Sequence, residues 1–166
     1  IDPRDRGLTL GDGLYETISI SAGSPRRLKM HLARLRDGAA ILKIILLNSN
    51  AQIEDMIIST IKENNVMEGS VRLTVTRGPG ERGLMPPKIT TPTLMITAIA
   101  TSPSTEVINV ILSKKTRRNE HSPLSAIKST NTLDNILARL EAQANGANDA
   151  LLMNTANHLA EGTAAN

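Results

Sequence analysis

Hydrophobic and polar residues of this chain follow two different periods, which predicts a mixture of strands and helices. Leu14 to Ala22 is β-branched and alternates over its second half, and Gly23-Ser24-Pro25 follows, so we expect a strand that ends in a turn. Four later segments show strand patterns and are bounded by turn residues. They are residues 70–77, 93–100, 107–113 and 150–153.

Three further segments place apolar residues three and four positions apart, as amphipathic helices do. The first covers residues 27–42, with a stripe formed by Leu28, Leu32, Leu35, Ala39 and Leu42. The second follows Ser49, where Gln52 stands three residues later as in a capping box, and reaches Asn64. Its apolar face carries Ile53, Ile57, Ile58 and Ile61.

The third helical segment runs from Asn131 to Asn145 and is stopped by Gly146. Its apolar face carries Leu133, Leu137, Leu140 and Ala144. Mixed strands and helices give an α/β or α+β class. The stretch Ser102-Pro103-Ser104 separates two blocks of such elements, so we predict an N-terminal α/β domain over residues 1–102 and, over residues 103–166, a linker and the start of a second domain.

Composition narrows the possible functions of the 166-residue chain. Without cysteine it has no disulfide scaffold, thiolate zinc site or cysteine nucleophile, which fits a reducing compartment, and we expect the cytoplasm. No apolar run approaches the roughly 18 residues of a membrane span. A net charge of only +3, mixed signs along the chain and 1% aromatic residues argue against a nucleic-acid partner. The three histidines lack metal-ligand spacing, so no metal site is expected.

One glycine-rich motif resembles a dinucleotide-binding turn, but the residues after it argue against that role. Residues 78–83 match G-x-G-x-x-G after a predicted strand, which is the pattern of a dinucleotide-binding turn. The residues that follow, Leu84-Met85-Pro86-Pro87, are not able to open the helix whose N-terminus would hold the pyrophosphate. We therefore predict a loop here.

Two charged residues stand in unusual surroundings. Lys128 follows apolar residues and precedes a predicted helix N-terminus, and a lysine held in such a place can form a Schiff base with a carbonyl. The alternative is an ordinary surface lysine. Glu161 is the one acid among small residues, so its carboxylate is either buried against a cation or lies at an exposed strand end.

Several segments together resemble one enzyme family. They are Asp5-Arg6-Gly7, Gly11-Asp12-Gly13-Leu14-Tyr15-Glu16, His31-Leu32-Ala33-Arg34-Leu35, Ile127-Lys128-Ser129-Thr130-Asn131 and Glu161-Gly162-Thr163-Ala164-Ala165-Asn166. In this order and spacing they resemble the class IV aminotransferases, the fold-type-IV pyridoxal-phosphate enzymes that include branched-chain and D-amino-acid aminotransferases and aminodeoxychorismate lyase.

The resemblance implies a cofactor, pyridoxal 5'-phosphate, and residues that hold it. Lys128 corresponds to the lysine that forms the Schiff base, and Glu161 to the acid that faces the pyridine nitrogen. Arg34 matches the arginine that binds the phosphate, for which a guanidinium is well suited. Thr163 and Ala164, from the same motif as Glu161, are expected to contact the cofactor.

The resemblance also implies substrate contacts and a partner. Tyr15 matches a pocket-wall tyrosine, with packing as its alternative role, and Arg82 lies near the place where D-amino-acid aminotransferases keep an arginine for the substrate carboxylate. Two positions depart from the family: Thr132 replaces a tyrosine of branched-chain aminotransferases, and Leu84 replaces a histidine of D-amino-acid aminotransferases. Members of the family are homodimers, so we expect one here.

The expected activity is transfer of an amino group from an amino acid, of branched-chain or D-type, to a 2-oxo acid. One alternative is aminodeoxychorismate lyase activity, because the loop around Arg82 and the segment Arg118-Asn119-Glu120-His121 resemble those lyases. Another is a catalytically incomplete fragment, since family members continue well past Asn166. The expected fold is accordingly the class IV aminotransferase fold, truncated at its C-terminus.

Overall fold

The computed structural model describes residues 1–102 and 106–165, and these fall into two compact units. Unit 1 comprises Ile1–Pro103 and Ile127–Thr130, and unit 2 comprises Ser104–Ala126 and Asn131–Asn166. Of the expected linker, Pro103 and Ser104 lie outside the described residues. No helix in the described part of the chain is long and apolar enough to cross a membrane.

Unit 1 is built on an antiparallel sheet with the strand order β2-β1-β3-β4. The strands are β1 (Gly13–Ser21), β2 (Ser24–Pro25), β3 (Gly69–Thr76) and β4 (Thr93–Ala100). The strands predicted at 14–22, 70–77 and 93–100 are confirmed to within a residue. The loop predicted at 78–83 is confirmed as well, since neither a helix nor a strand follows β3 before β4.

Three helices belong to unit 1: α1 (Arg6–Leu10), α2 (Leu28–Leu42) and α3 (Asn50–Glu63). The two longer helices and the capping box are confirmed, since the Ser49 hydroxyl accepts from the Gln52 N–H and the Gln52 side chain accepts from the Ser49 N–H. The prediction for Ile58 is wrong, because this side chain is 46% exposed. Residues four apart stack on one helix face, and Ile53, Ile57 and Ile61 already fill that face.

The core of unit 1 lies between one face of the sheet and helices α2 and α3. Alternate residues of β1 and β3, among them Leu14, Ile18 and Leu73, are buried on this face. Gly38 lies where α2 comes close to the sheet, because a Cβ atom there would stand 3.1 Å from Leu14. Burial of so many branched side chains on one face fixes which residues of β1 point away from the helices.

Residues Ile127–Thr130 pair with the start of β1, although the sequence analysis assigned them to the second domain. Tyr15 donates its N–H to the Lys128 carbonyl (3.0 Å), and the Thr130 N–H donates to the Gly13 carbonyl (2.9 Å). Ile127 is buried in the core of unit 1. This pairing joins residues more than 100 positions apart, and local sequence patterns carry no signal for it.

Unit 2 contains a three-stranded sheet with the order β5-β6-β7. The strands are β5 (Val110–Arg118), β6 (Asp149–Asn154) and β7 (Leu159–Gly162), β5 being parallel and β7 antiparallel to β6. Helix α4 (Leu133–Ala144) crosses from β5 to β6 after a 3-10 helix at Pro123–Ala126. The strand expected at 107–113 starts three residues later and runs to Arg118, and β7 was not predicted.

Within unit 2, α4 packs through small residues rather than through its leucines. Ala138 and Ala142 are fully buried with Ala150 and Leu152 of β6. The apolar face identified from the sequence is exposed in this unit, with Leu133 at 71%, Leu137 at 58% and Leu140 at 53% exposure. The periodicity therefore located the helix correctly but did not indicate which face contacts the sheet.

Candidate active site

The alternation of residues 127–129 sets the direction of the Lys128 side chain. Ile127 is buried in the core of unit 1 on the side of α2, close to Gly38. Successive residues of an extended segment point to opposite faces, so Lys128 points away from that core. Its backbone is fixed by the hydrogen bond from Tyr15 and by the bridge between Leu14 and Ser129. Lys128 is thus a half-buried residue on a fixed backbone and differs from a free surface lysine.

Tyr15 meets the Lys128 side chain on the sheet face that points away from the helices. The Lys128 ammonium lies 4.5 Å from the centre of the Tyr15 ring, and the Arg72 guanidinium carbon lies 3.8 Å from it. Both distances suit cation–π attraction. Thr74, the cross-strand partner of Tyr15, has a buried hydroxyl without a hydrogen-bond partner among the described residues. This group of four residues is called the Tyr15 face below.

Arg34 and Glu16 form an ion pair on the other side of β1. Glu16 is fully buried, and its carboxylate accepts from the Arg34 Nε (2.7 Å) and NH2 (2.5 Å). His31 adds a contact of 2.8 Å from its Nδ1. The hydrogen bonds to Glu16 raise the pKa of Arg34 above its usual range. The Arg34 side chain is 45% exposed, and its NH1 group donates to no other described residue, so the guanidinium keeps donors for an anion.

Arg82 lies on the loop between β3 and β4 and is exposed, with no ion pair among the described residues. Beneath the loop, the Asp12 carboxylate accepts from Arg6 (2.9 Å) and from Arg77 (2.7 and 3.0 Å). Burial raises the pKa of Asp12, but the hydrogen bonds from Arg77 and Arg6 lower it more, so that the pKa is below its usual value. Arg77 also donates to the carbonyls that end α2, at Leu42 and Lys43.

In unit 2, Glu161 lies on β7 and is 22% exposed. Its carboxylate stands 3.3 Å from the Arg118 guanidinium at the end of β5. Of the two alternatives for this acid, the structure therefore favours a partly buried carboxylate beside a cation. From the sequence, the segment around Arg118 resembles lyases, but no role is predicted for this residue.

The turn after β7 contains Thr163 and Ala164. The Thr163 hydroxyl donates to Asp149, and its carbonyl accepts from the Asn135 side chain (3.0 Å). Burial raises the pKa of Asp149, but its bonds from Thr163, the Ala150 N–H and Arg139 lower it more. The N–H groups of Thr163 and Ala164 donate to no other described residue. A turn with free N–H groups suits an anion such as a phosphate.

Among the expected site residues, the structure brings Tyr15 and Lys128 together. Arg34 lies on the opposite side of β1 from Tyr15, with Glu16, and Arg82 lies on the loop after β3. Glu161, Thr163 and Ala164 lie in unit 2. Arg72 is a site residue that was not predicted, although the alternation Val71-Arg72-Leu73 places it on the outer face of its strand, which pairs with β1.

The described residues contain no group of three or more histidine, aspartate or glutamate side chains that could hold a metal ion. The donors that are present fit pyridoxal phosphate. The Lys128 amine beside the Tyr15 ring suits the aldehyde of this cofactor. The Arg34 guanidinium, or the turn at Thr163, suits its phosphate, and the Glu161 carboxylate suits its pyridine nitrogen.

Comparison with known proteins identifies relatives of this chain. Residues 13–166 match the family model described as amino-transferase class IV. A protein of Methanocaldococcus jannaschii with the provisional name branched-chain-amino-acid aminotransferase is 34% identical over 98% of this chain. D-alanine aminotransferase of Bacillus licheniformis is 33% identical over 100% of it. The chain spans 57% and 58% of the length of these two relatives.

Solved structures give the same result for the fold. The crystal structure of 4-amino-4-deoxychorismate lyase from Pseudomonas aeruginosa matches with a TM-score of 0.85 and 33% identity, over 99% of this chain and 61% of that one. The branched-chain amino acid aminotransferase of Escherichia coli matches with a TM-score of 0.90 at 21% identity, over 98% of this chain and 57% of that one. The second likeness concerns the fold alone.

Proposed function

Because this chain belongs to the class IV aminotransferase family, whose cofactor is pyridoxal phosphate, we propose that it transfers an amino group between an amino acid and a 2-oxo acid with that cofactor. The observation that carries the proposal is Lys128. Its backbone is fixed against β1, and its amine lies 4.5 Å from the centre of the Tyr15 ring. A lysine amine held in this way is suited to attack an aldehyde and to carry a proton at the substrate α-carbon.

Pyridoxal phosphate supplies an electron sink when it is bound, and the residues of this chain supply position and charge. Arg34, oriented by the buried Glu16, offers donors to a phosphate. Glu161 is proposed to keep the pyridine nitrogen protonated, and Thr163 and Ala164 to donate backbone N–H groups to the cofactor. The Arg118 guanidinium stands 3.3 Å from the Glu161 carboxylate and places a positive charge beside it.

The Tyr15 face is proposed to receive the substrate. Arg72 and the free hydroxyl of Thr74 offer a cation and a hydrogen-bonding group beside the lysine, and Arg82 offers a second cation on the neighbouring loop. Amino acids and 2-oxo acids both carry a carboxylate, which a guanidinium binds in a bidentate way. Branched-chain and D-amino acids are the proposed donors, following the names of the two relatives.

A second candidate is aminodeoxychorismate lyase activity. It is favoured by the 33% identity to the lyase of Pseudomonas aeruginosa, which is equal to that of the D-alanine aminotransferase. The products distinguish the two activities. A lyase releases pyruvate from aminodeoxychorismate without an acceptor, whereas an aminotransferase needs a 2-oxo acid to complete each cycle.

Labelling of lysines tests the proposed cofactor site. The chain is incubated with pyridoxal phosphate, its visible spectrum is recorded, borohydride is added, and the labelled peptide is identified by mass. We expect a Schiff-base band and a label on Lys128 in the wild type and in Lys29→Ala, a control at an exposed position of α2. Lys128→Ala should lose both. A label spread over surface lysines, or unchanged in Lys128→Ala, contradicts the proposal.

Homodimer formation is also proposed, since the family resemblance implies it. Light scattering coupled to gel filtration measures the mass directly, and a monomer at all concentrations would contradict this part of the proposal. The result bears on the assembly alone and leaves the labelling test independent.

A further inference from the structure

The loop that carries Arg82 is held to unit 1 by a buried arginine. Residues 77–92 connect β3 to β4 and run over the surface, with Leu84 at 83% and Met85 at 86% exposure. So exposed a segment has little packing of its own, and loops of this kind are normally mobile. Its contacts with Arg6 are therefore decisive for its conformation.

The Arg6 side chain is 4% exposed and uses all three of its nitrogens. NH1 donates to the Gly83 carbonyl (3.0 Å), NH2 donates to the Leu84 carbonyl (2.8 Å), and Nε donates to Asp12 (2.9 Å). The two loop carbonyls belong to the residues that directly follow Arg82. Hydrogen bonds from a charged donor are stronger than those between neutral groups, and burial strengthens them further.

Two further contacts join the loop to the segment around Arg6. The Arg6 N–H donates to the Gly78 carbonyl (2.9 Å), and the Gly80 N–H donates to the Arg4 carbonyl (3.1 Å). Gly80 lies directly on the stem of Arg6, because a Cβ atom at this position would stand 2.9 Å from the Arg6 Cδ. The loop backbone is thus shaped to cover this arginine.

We propose that Arg6 is a positioning residue, which clamps the loop so that Arg82 is presented to the carboxylate of the substrate. The clamp rests on the contacts just given, and only the destination of Arg82 rests on the proposed function. Gly83 has a φ of 122°, which a residue with a side chain rarely adopts, so the peptide after Arg82 has a defined and unusual conformation. A rigid anchor reduces the entropy that Arg82 loses when an anion binds.

Trypsin cleavage after Arg82 measures the clamp without any assay of activity. A protease needs a locally opened segment, so the rate of cleavage between Arg82 and Gly83 reports how often the loop leaves Arg6. The test variant is Arg6→Lys, which keeps a cation for Asp12 but loses the paired donors to the two carbonyls. Arg77→Lys is the matched control, since Arg77 also binds Asp12 but donates to Leu42 and Lys43.

We expect Arg6→Lys to speed this cleavage by about ten-fold or more, given the strength of charged hydrogen bonds. Arg77→Lys, and Arg4→Gln at an exposed neighbouring position, should leave the rate within about two-fold of the wild type, because neither side chain donates to the carbonyls of Gly83 and Leu84. Cleavage that is equally fast in Arg6→Lys and in Arg77→Lys overturns the clamp. Unfolding of each variant is followed in parallel, and Gly80→Ala, which displaces the loop from the Arg6 stem, should speed cleavage even if Arg6→Lys does not fold.

The KM for the amino acid tests separately whether the loop held by Arg6 places Arg82 for substrate binding. With the holoenzyme, Arg6→Lys should raise KM by about ten-fold with a smaller change in kcat, as expected when a binding group loses its position. Faster cleavage together with an unchanged KM overturns the role of Arg82 and leaves the clamp in place. If the wild type shows no turnover, the proposed function fails, while the cleavage rates still decide the clamp.

Discussion

Replacing the buried carboxylate of Glu16 tests how strongly its contacts with Arg34 and His31 stabilise unit 1. Glu16→Gln keeps the shape of the side chain but replaces one oxygen by an NH2 group. The amide oxygen still accepts from Arg34, whereas the new NH2 group faces a second donor of Arg34 or the His31 ring. The substitution therefore removes the negative charge and leaves at least one donor of Arg34 or His31 without its acceptor.

The size of the effect follows from the contacts that are lost. Removing a partner from a hydrogen bond with a charged group costs about 1.5–3 kcal/mol, and one or two of the three contacts are lost, depending on which carboxylate oxygen the NH2 group replaces. The Arg34 side chain is 45% exposed, so water can hydrogen-bond to its unpaired N–H groups and reduce the free-energy cost of the lost contact. We expect Glu16→Gln to lower the free energy of unfolding of unit 1 by about 2–4 kcal/mol, or its Tm by about 9–18 °C.

Tyr15 makes this measurement specific to unit 1. It is the only Tyr in a chain without Trp or Phe, so tyrosine fluorescence during urea unfolding reports its own unit. Glu63→Gln, an exposed position at the end of α3, is the control and should change stability by less than about 0.5 kcal/mol. A loss below about 1 kcal/mol in Glu16→Gln would refute the view that this buried pair is strongly coupled.

Two further predictions concern acids with cationic partners. Asp12 has a folded-state pKa below its unfolded value of 3.8, so it stabilises the fold above that pH and this contribution is lost as the pH falls through the folded pKa. The stability difference between wild type and Asp12→Asn in urea titrations should therefore be large near pH 7 and shrink as the pH falls below 3.8; a difference independent of pH contradicts this. Glu161→Gln should retain cofactor but slow removal of the α-proton by several orders of magnitude, because a neutral pyridine accepts electrons poorly. Single-turnover spectroscopy checks it, and an unchanged rate would argue against the role of Glu161.

The spacing of apolar residues predicted those helices and strands whose residues contact near neighbours in the sequence. The helices α2 and α3 follow from residues three and four positions apart, and the capping box from two residues, Ser49 and Gln52. In β1 and β3, alternation alone indicated which residues face the core. The pattern did not predict β7, a four-residue strand that pairs with β6, nor the exposure of Ile58.

The candidate site residues could be chosen from the sequence, but their contacts could not. Arg34 could be chosen from its motif, but its partner Glu16 lies 18 residues earlier on another element. Lys128 could be chosen as well, yet its pairing with β1 depends on contacts between distant parts of the chain. Family resemblance supplied the candidates, and only the folded structure supplies the partners that give them their chemistry.

The charges on the Tyr15 face explain why an anionic ligand fits this part of the fold. Arg34 and the buried Arg6 and Arg77 each pair with a carboxylate, whereas Lys128 and Arg72 have no carboxylate partner among the described residues. What they share is the Tyr15 ring, and a cation–π contact contributes only about 0.5–2 kcal/mol. Two cations at one ring therefore favour a negative group beside them, because it would reduce their repulsion. A carboxylate or phosphate meets this requirement, and both groups occur in the reactants proposed here.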